Sequence, residues 1–573
     1  MFRWIYHASL DFLAAAFAVG FTHASLFAGP PNIVVILSDD MGYSDLGCFG
    51  GEIQTPNLDR LAANGLRFTQ FYNSGRCCPT RASLLTGLYP HQAGVGHMTE
   101  PSRDSEGKAL PGYRGNLNAQ SLTIAEVLRR AGYRTYMSGK WHVSKHSSPS
   151  SPKDAWPIQR GFDKFYGTLK GACSYYDPSS LMRHETFVSP FSDSHYNPPQ
   201  YYYTDAISDN AVDFIRQHQA DSPGRPFFLY LSYTAAHWPL HARQEDIAKY
   251  KAVYDKGYQA IREARYARLK ELGLVSQQCL LSPNAGEWNQ VKNKAWETEC
   301  MKVYAAMVDC MDQGIGRVVT QIEESGYLDN TVIFYLQDNG GCSEALGRQE
   351  QGDWGKHELW RIAGGEPMPP DALQERHLPP MQTRSGEPLL GGPDTMPGPD
   401  GSYLSYGLSW SNVSNTPFRE YKADVHEGGI ATPLIVHWPA GIKSRGELRD
   451  QPGHLIDIMP TCIQLSHIDY PDEWKGEKTT PPEGVSLLPA FANQSLNRDT
   501  LFWEHEGDSA IRMGDWKLVR LESDGEWELY DLTDDRSETE NLIEKYPERA
   551  SRMEAEWEAW ASRAFVKPWP WEE

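Results

Sequence analysis

The segment Asn32-Ile-Val-Val-Ile-Leu-Ser38 constrains this chain more than any other. Its central residues are apolar on both alternating faces, so it has no side to give to water. Such a run belongs in the middle of a sheet that is covered on both faces, where parallel strands sit. It ends in two consecutive carboxylates, Asp39 and Asp40. Similar runs recur at 133–137, 226–233, 331–336 and 433–438. Helical patterns lie between them. Thr55-Pro56 opens one, with Leu58, Leu61 and Ala62 on one face and Gly65 as its stop. Another covers 121–130, where Thr123 and Glu126 have capping-box spacing. Others cover 204–217, 299–325 and 455–466. This alternation predicts an α/β fold with a large, mostly parallel sheet sandwiched by helices. No internal repeat is visible.

The pattern disappears between 342 and 418, where Pro and Gly cluster, so this stretch reads as an irregular insertion. From about Leu501 short strands at 509–513, 516–520 and 527–530 predict an antiparallel meander, closed by a charged helix at 547–563. The domains expected are therefore a signal peptide at 1–28, a main α/β domain at 30–470 that includes the insertion, and a C-terminal subdomain at 471–573. Residues 12–21 form an apolar run after Arg3 and His7, with small-residue cleavage sites near Ala24 and Ala28. The run is too short to span a bilayer, so it reads as an export signal and the protein as periplasmic or secreted, with no integral membrane segment.

Lys and Arg total 54 against 75 Asp and Glu, a net charge of −21. That argues against nucleic acid as a partner, because duplex affinity rests on neutralised phosphates. It leaves a small anionic substrate open, since a site's local field governs that. The nine cysteines form no CxxC pair, which excludes a structural zinc motif of that kind.

Ligands of open α/β sheets bind beyond the carboxyl ends of the strands. The polar residues expected on that edge are Asp39, Asp40, Lys140, His142, His237, Asp338 and Asn339. Asp39, Asp40, Asp338 and Asn339 are hard oxygen donors from two strands, which favours Ca²⁺ or Mg²⁺ over Zn²⁺. The segment Cys77-Cys-Pro-Thr-Arg81-Ala-Ser-Leu-Leu-Thr-Gly87 starts a short helix with a cysteine and places Arg81 one turn on. A helix N-terminus favours negative charge, so Cys77 is a candidate nucleophile. An inert buried cysteine is the competing reading.

Cys77-x-Pro79-x-Arg81 followed by Leu85-Thr86-Gly87 resembles the signature of type I sulfatases in the alkaline phosphatase superfamily. Gly139-Lys-Trp-His142 is similar to that family's second motif, although Val143-Ser144 stand where Leu-Gly is usual. The segments 31–43, 236–239, 337–341, 414–422, 426–430 and 516–532 resemble further family motifs, in family order from about Pro30 to Leu542. Chance matches to so many motifs in order are negligible.

The resemblance implies an alkaline-phosphatase-like fold and hydrolysis of an aryl or carbohydrate sulfate monoester. It implies that a formylglycine-generating enzyme converts Cys77 to Cα-formylglycine, whose hydrated aldehyde attacks sulfur. Ca²⁺, one per chain, would be held by Asp39, Asp40, Asp338, Asn339 and the modified residue 77. Arg81, Lys140 and Lys422 would supply positive charge. His237 with Lys422 would protonate the leaving alcohol, and His142 would take a proton as sulfate departs. Two alternatives stand beside this: a phosphonate monoester or phosphodiester hydrolase of the same superfamily, and a catalytically silent sulfatase-like binding protein. Cys78, His91 and His97 read as structural. His505 and the segment Ser174-Tyr-Tyr-Asp177 are candidates for touching substrate.

Overall fold

The computed structural model describes residues 29–103, 106–348, 361–376 and 380–570. The expected signal at 1–28 lies outside the described residues, as do parts of the 342–418 insertion.

The strand Asn32–Ser38 lies at the heart of an eleven-stranded sheet. It pairs in parallel with Phe227–Ser232 on one side and Thr331–Gln337 on the other. Arg134–Gly139 and Lys164–Thr168 extend the parallel block. Ala431–His437 runs antiparallel to both of its neighbours, Thr331–Gln337 and Leu66–Tyr72. The sheet is thus mixed, with a parallel centre, as the sequence predicts.

The continuous apolar run is explained by two separate cores. Val34 and Ile36 enter one, which holds the helices Tyr203–Asp221 and Lys294–Glu324. Ile33, Val35 and Leu37 enter the other, with Cys77–Thr86, Ile124–Arg130 and Ile458–Ser466. Each strand residue therefore meets hydrocarbon whichever way it points. Thr123 caps its helix as expected, accepting from Glu126 N while Glu126 Oε2 accepts from Thr123 N. Thr55 does not cap the earlier helix Pro56–Ala63: its hydroxyl donates to Asp59 Oδ1 at 3.1 Å, and Pro56 alone marks the start.

A four-stranded antiparallel sheet follows: Thr500–His505, Asp508–Met513, Trp516–Arg520 and Glu528–Asp531. The sequence pattern missed its first strand. Helix Pro547–Arg563 packs against this sheet, burying Met553, Trp557 and Trp560. The insertion contains a helix, Gly407–Ser414, and a small strand pair, Arg361–Ile362 with Leu389–Leu390. All nine cysteines are unpaired. Among the described residues, no helix is long and apolar enough to cross a membrane.

Candidate active site

The strand ends do bring the expected residues together. Asp39 continues the central strand and is held by its backbone, with N–H to Ala235 O at 2.9 Å and O from Ala236 N at 2.7 Å. Asp40 then turns into the left-handed region, at φ 57°. In a regular strand, consecutive side chains point to opposite faces. The turn at Asp40 keeps two adjacent carboxylates at one centre. Asp338 joins from the neighbouring strand, accepting from Asp40 N at 3.3 Å. Asn339 Nδ2 donates to Asp40 Oδ1 at 2.8 Å.

Helix Cys77–Thr86 is buried along its whole length and ends at Gly87, whose φ of 71° forms a left-handed cap. Residues 77 and 81 share a face, as i, i+4 spacing requires. Arg81 donates to Asp338 Oδ2 at 2.7 Å and to Asp39 Oδ2 at 3.3 Å. Lys140 Nζ donates to Asp39 Oδ2. The sequence reading missed Ser232, which accepts from Arg81 Nη1 and donates to the Lys140 carbonyl at 2.7 Å. It ties the two cations into one unit.

Asp39, Arg81 and Lys140 are all at 0% exposure. Burial alone would discharge Lys140, but Asp39 beside it holds its pKa above the usual value. Asp39 itself is pushed well up, by burial first and by the Asp338 carboxylate second. Asp39 Oδ1 and Asn339 Oδ1 are buried without a hydrogen-bond partner. Crowded carboxylates and orphaned oxygens fit a hard divalent cation, whose charge and coordination would satisfy both.

His142 sits in the left-handed region at φ 54°. Its Nε2 lies 3.2 Å from Cys78 Sγ, so Cys78 touches a candidate base and is more than packing. Cys77 is held well below the usual thiol range, through its contact with Cys78 and the charges of Lys140 and His142. A Cβ on Gly171 would lie 2.1 Å from the His142 ring, so only glycine leaves room for the imidazole there. Burial lowers the pKa of His142.

Beside Asp40, His237 Nδ1 contacts the Trp238 carbonyl at 2.7 Å. A carbonyl only accepts, so the proton is on Nδ1, and Nε2 is left to accept from Lys422 Nζ at 3.3 Å. Burial, then the Lys422 charge, depress His237 well below 6.5. Lys422 also donates to Asp40 Oδ2 at 2.9 Å. Two further residues that the sequence reading missed lie beside this pair. Glu344 Oε1 meets Arg76 at 3.2 Å, and its other oxygen lies 3.8 Å from Lys422. Arg76 directly precedes Cys77. No local pattern marks either residue, because their pairing joins the insertion to the residue before the helix.

The expectation that the segment Ser174-Tyr-Tyr-Asp177 touches substrate needs revision at two of its residues. Tyr175 is buried, stacks on Tyr202 and donates to the carbonyls of Thr234 and His237, so it braces the His237 loop. Asp177 is engaged by Arg384 at 2.8 Å. His91 is structural as expected, paired with Glu504 at 2.6 Å.

A nucleophile position at a helix N-terminus, buried cations, a hard-oxygen cluster and two neutral imidazoles define a hydrolytic centre for an anionic ester. The sulfatase family model matches residues 31–468, and a model of the N-sulphoglucosamine sulphohydrolase C-terminal region matches 421–559. The chain belongs to the sulfatase family. It is 31% identical to an uncharacterized sulfatase of Schizosaccharomyces pombe over 92% of each chain. It is 32% identical to an arylsulfatase of Klebsiella aerogenes over 80% of this chain and 91% of that one. The crystal structure of Ps i-CgsB shares the fold, with TM-score 0.62, 24% identity and 93% of each chain covered.

Proposed function

We propose that this sulfatase hydrolyses an aryl or carbohydrate sulfate monoester to the alcohol and inorganic sulfate. The observation that carries the reading is the cation set of Arg81, Lys140 and Lys422, buried and interleaved with the carboxylates Asp338, Asp39 and Asp40. The thiol at residue 77 stands for the precursor of Cα-formylglycine, which a formylglycine-generating enzyme would supply. Asp39, Asp40, Asp338 and Asn339 would hold Ca²⁺, with residue 77 as a further ligand. Once present, the two groups bring a hydroxyl nucleophile and a Lewis acid.

The remaining work falls to side chains. Arg81 and Lys140 set positive charge where sulfate oxygens gather. Lys422, whose burial is outweighed by Asp40 and Glu344 among its neighbours so that its pKa stays well above the usual value, presents a proton beside neutral His237. Lys422 and His237 together deliver that proton to the departing alcohol. Neutral His142, beside residue 77, accepts a proton in the second half-reaction. Residues 1–28 support export, which puts the substrate outside the cytoplasm.

The phosphodiester or phosphonate alternative is separated by turnover. The purified, matured enzyme should show a higher kcat/KM for an aryl sulfate than for the matching aryl phosphodiester or phosphonate. A preference for either of the latter would overturn the sulfatase reading. The silent alternative conflicts with a complete set of catalytic side chains, and any Cys77-dependent turnover of sulfate would exclude it.

A further inference from the structure

The chain carries a second cluster of metal-ligating side chains, with different chemistry from the oxygen cluster. The hairpin between Thr500–His505 and Asp508–Met513 closes on Glu506-Gly507, with His505 paired to Asp508. Both turn residues have positive φ, 52° for Glu506 and 99° for Gly507. That is the type I′ geometry, which costs a glutamate energy that glycine or asparagine would largely avoid. Its effect is to set consecutive donors together: His505 Nε2 lies 3.8 Å from Glu506 Oε1. His97 arrives from the loop after the short helix Pro90–Ala93, and its Nδ1 is 2.9 Å from the same oxygen. One donor atom of each residue lies within 4.8 Å of the other two.

His505 is the residue that requires explanation. It is fully buried, yet neither ring nitrogen makes a hydrogen bond. Buried polar groups are rarely left so. From this arrangement we infer that His97, His505 and Glu506 form a divalent transition-metal site of the zinc type, separate from the Asp39 centre. Two imidazoles and a carboxylate are ligands that suit Zn²⁺ and disfavour Ca²⁺. Tetrahedral Zn²⁺ with bonds of about 2.0–2.1 Å spaces its ligand atoms by roughly 3.3–3.4 Å. The observed 2.9 and 3.8 Å bracket that value, so small side-chain shifts complete the site. Burial holds His505 neutral, with its pKa down to about 3, which leaves a lone pair free for a metal. The Arg76 charge acts on both His505 and Glu506, and Glu344 at 3.2 Å from Arg76 offsets it. His97 and Glu506 are partly exposed, which leaves a path for the ion and a fourth position for water.

Zinc titration by calorimetry into the matured enzyme tests this, in excess Ca²⁺ so that the oxygen centre is filled. One saturable zinc per chain is expected. His97→Ala and Glu506→Gln, both at partly exposed positions, should each weaken it at least about tenfold. Cys78→Ser should leave it unchanged, because the other nitrogen- and sulfur-bearing cluster, at Cys78 and His142, takes no part. The inference is overturned if no saturable zinc binds, or if binding survives both substitutions. It is also overturned if Cys78→Ser removes it.

Discussion

The floor of the site and its rim are built in opposite ways. The floor is Asp39, Asp40, Asp338, Asn339, Arg81 and Lys140: strand ends and one helix, sealed from water and joined by charge-assisted hydrogen bonds. The rim is Arg76, Glu344, His97, His505 and Glu506, drawn from two loops, the insertion and the C-terminal sheet. Glu506 keeps 44% of its side chain exposed. Charge is rigid and expensive to disturb in the floor, because a buried ion left without its partner is strongly destabilising. In the rim only His97 and Glu506 are appreciably solvated, and their contacts carry less energy. On the proposed function this difference is a division of labour, in which the floor would do the chemistry and the rim would meet whatever carries the sulfate.

Replacing the nucleophile breaks the floor most completely. Cys77→Ala should lower kcat by about 10⁴-fold or more, with the fold retained by circular dichroism. Full activity would remove residue 77 from the chemistry. Lys422→Met should cost about 10²–10⁴-fold in kcat, and less with a good leaving group such as nitrophenol, which needs little protonation. An equal loss for all leaving groups would argue that Lys422 only holds Asp40. Gly171→Ala, which drives a methyl into the His142 ring, should cost about 10–10²-fold, read in kcat rather than KM. The smallest effect belongs to the rim. Arg76→Gln should raise KM several-fold and change kcat less. A kcat loss as large as that of Lys422→Met would abolish the distinction between the two regions.

The pH profile follows from the same groups. His142 and His237 are depressed below 6.5, so both stay neutral at neutral pH and charge only on acidification. Lys140 is raised above 10.5 and Lys422 well above it, so their charge persists far into alkali. The kcat should therefore be flat through neutrality and fall only below pH 6.5 as His142 protonates. A rate still rising with pH between 7 and 8 would contradict a neutral His142.

The floor was legible in the sequence because strand ends and a helix start deliver it, and those follow from local patterns. The cap at Thr123, the helix 547–563 and the central strands were legible for the same reason. Helix Gly257–Glu271 was not: Arg262 and Arg265 are buried on it, so its inward face looks charged. Arg265 is paired with Asp45 and Glu52, and Arg262 with the Ser282 carbonyl, partners that only the fold provides. Strand Leu66–Tyr72 was missed because Arg67, Thr69 and Gln70 break its apolar run. Ser232 and Gly171 have ordinary local sequences, and their importance arises from contacts with Arg81 and His142 across the fold. The rim is the extreme case, since its members meet from positions 76, 97, 344 and 505–506.

The central claim is that two neutral histidines, His142 beside residue 77 and His237 beside Lys422, serve successive half-reactions. Rapid mixing of nitrocatechol sulfate with enzyme at high concentration tests it most directly, by following alcohol release before the steady state. His142→Ala should release about one equivalent as a burst and then turn over some 10²–10⁴-fold more slowly than the parent enzyme. His237→Ala should show no burst and a uniformly slow release. A burst from His237→Ala with none from His142→Ala would reverse the assignment and contradict the account.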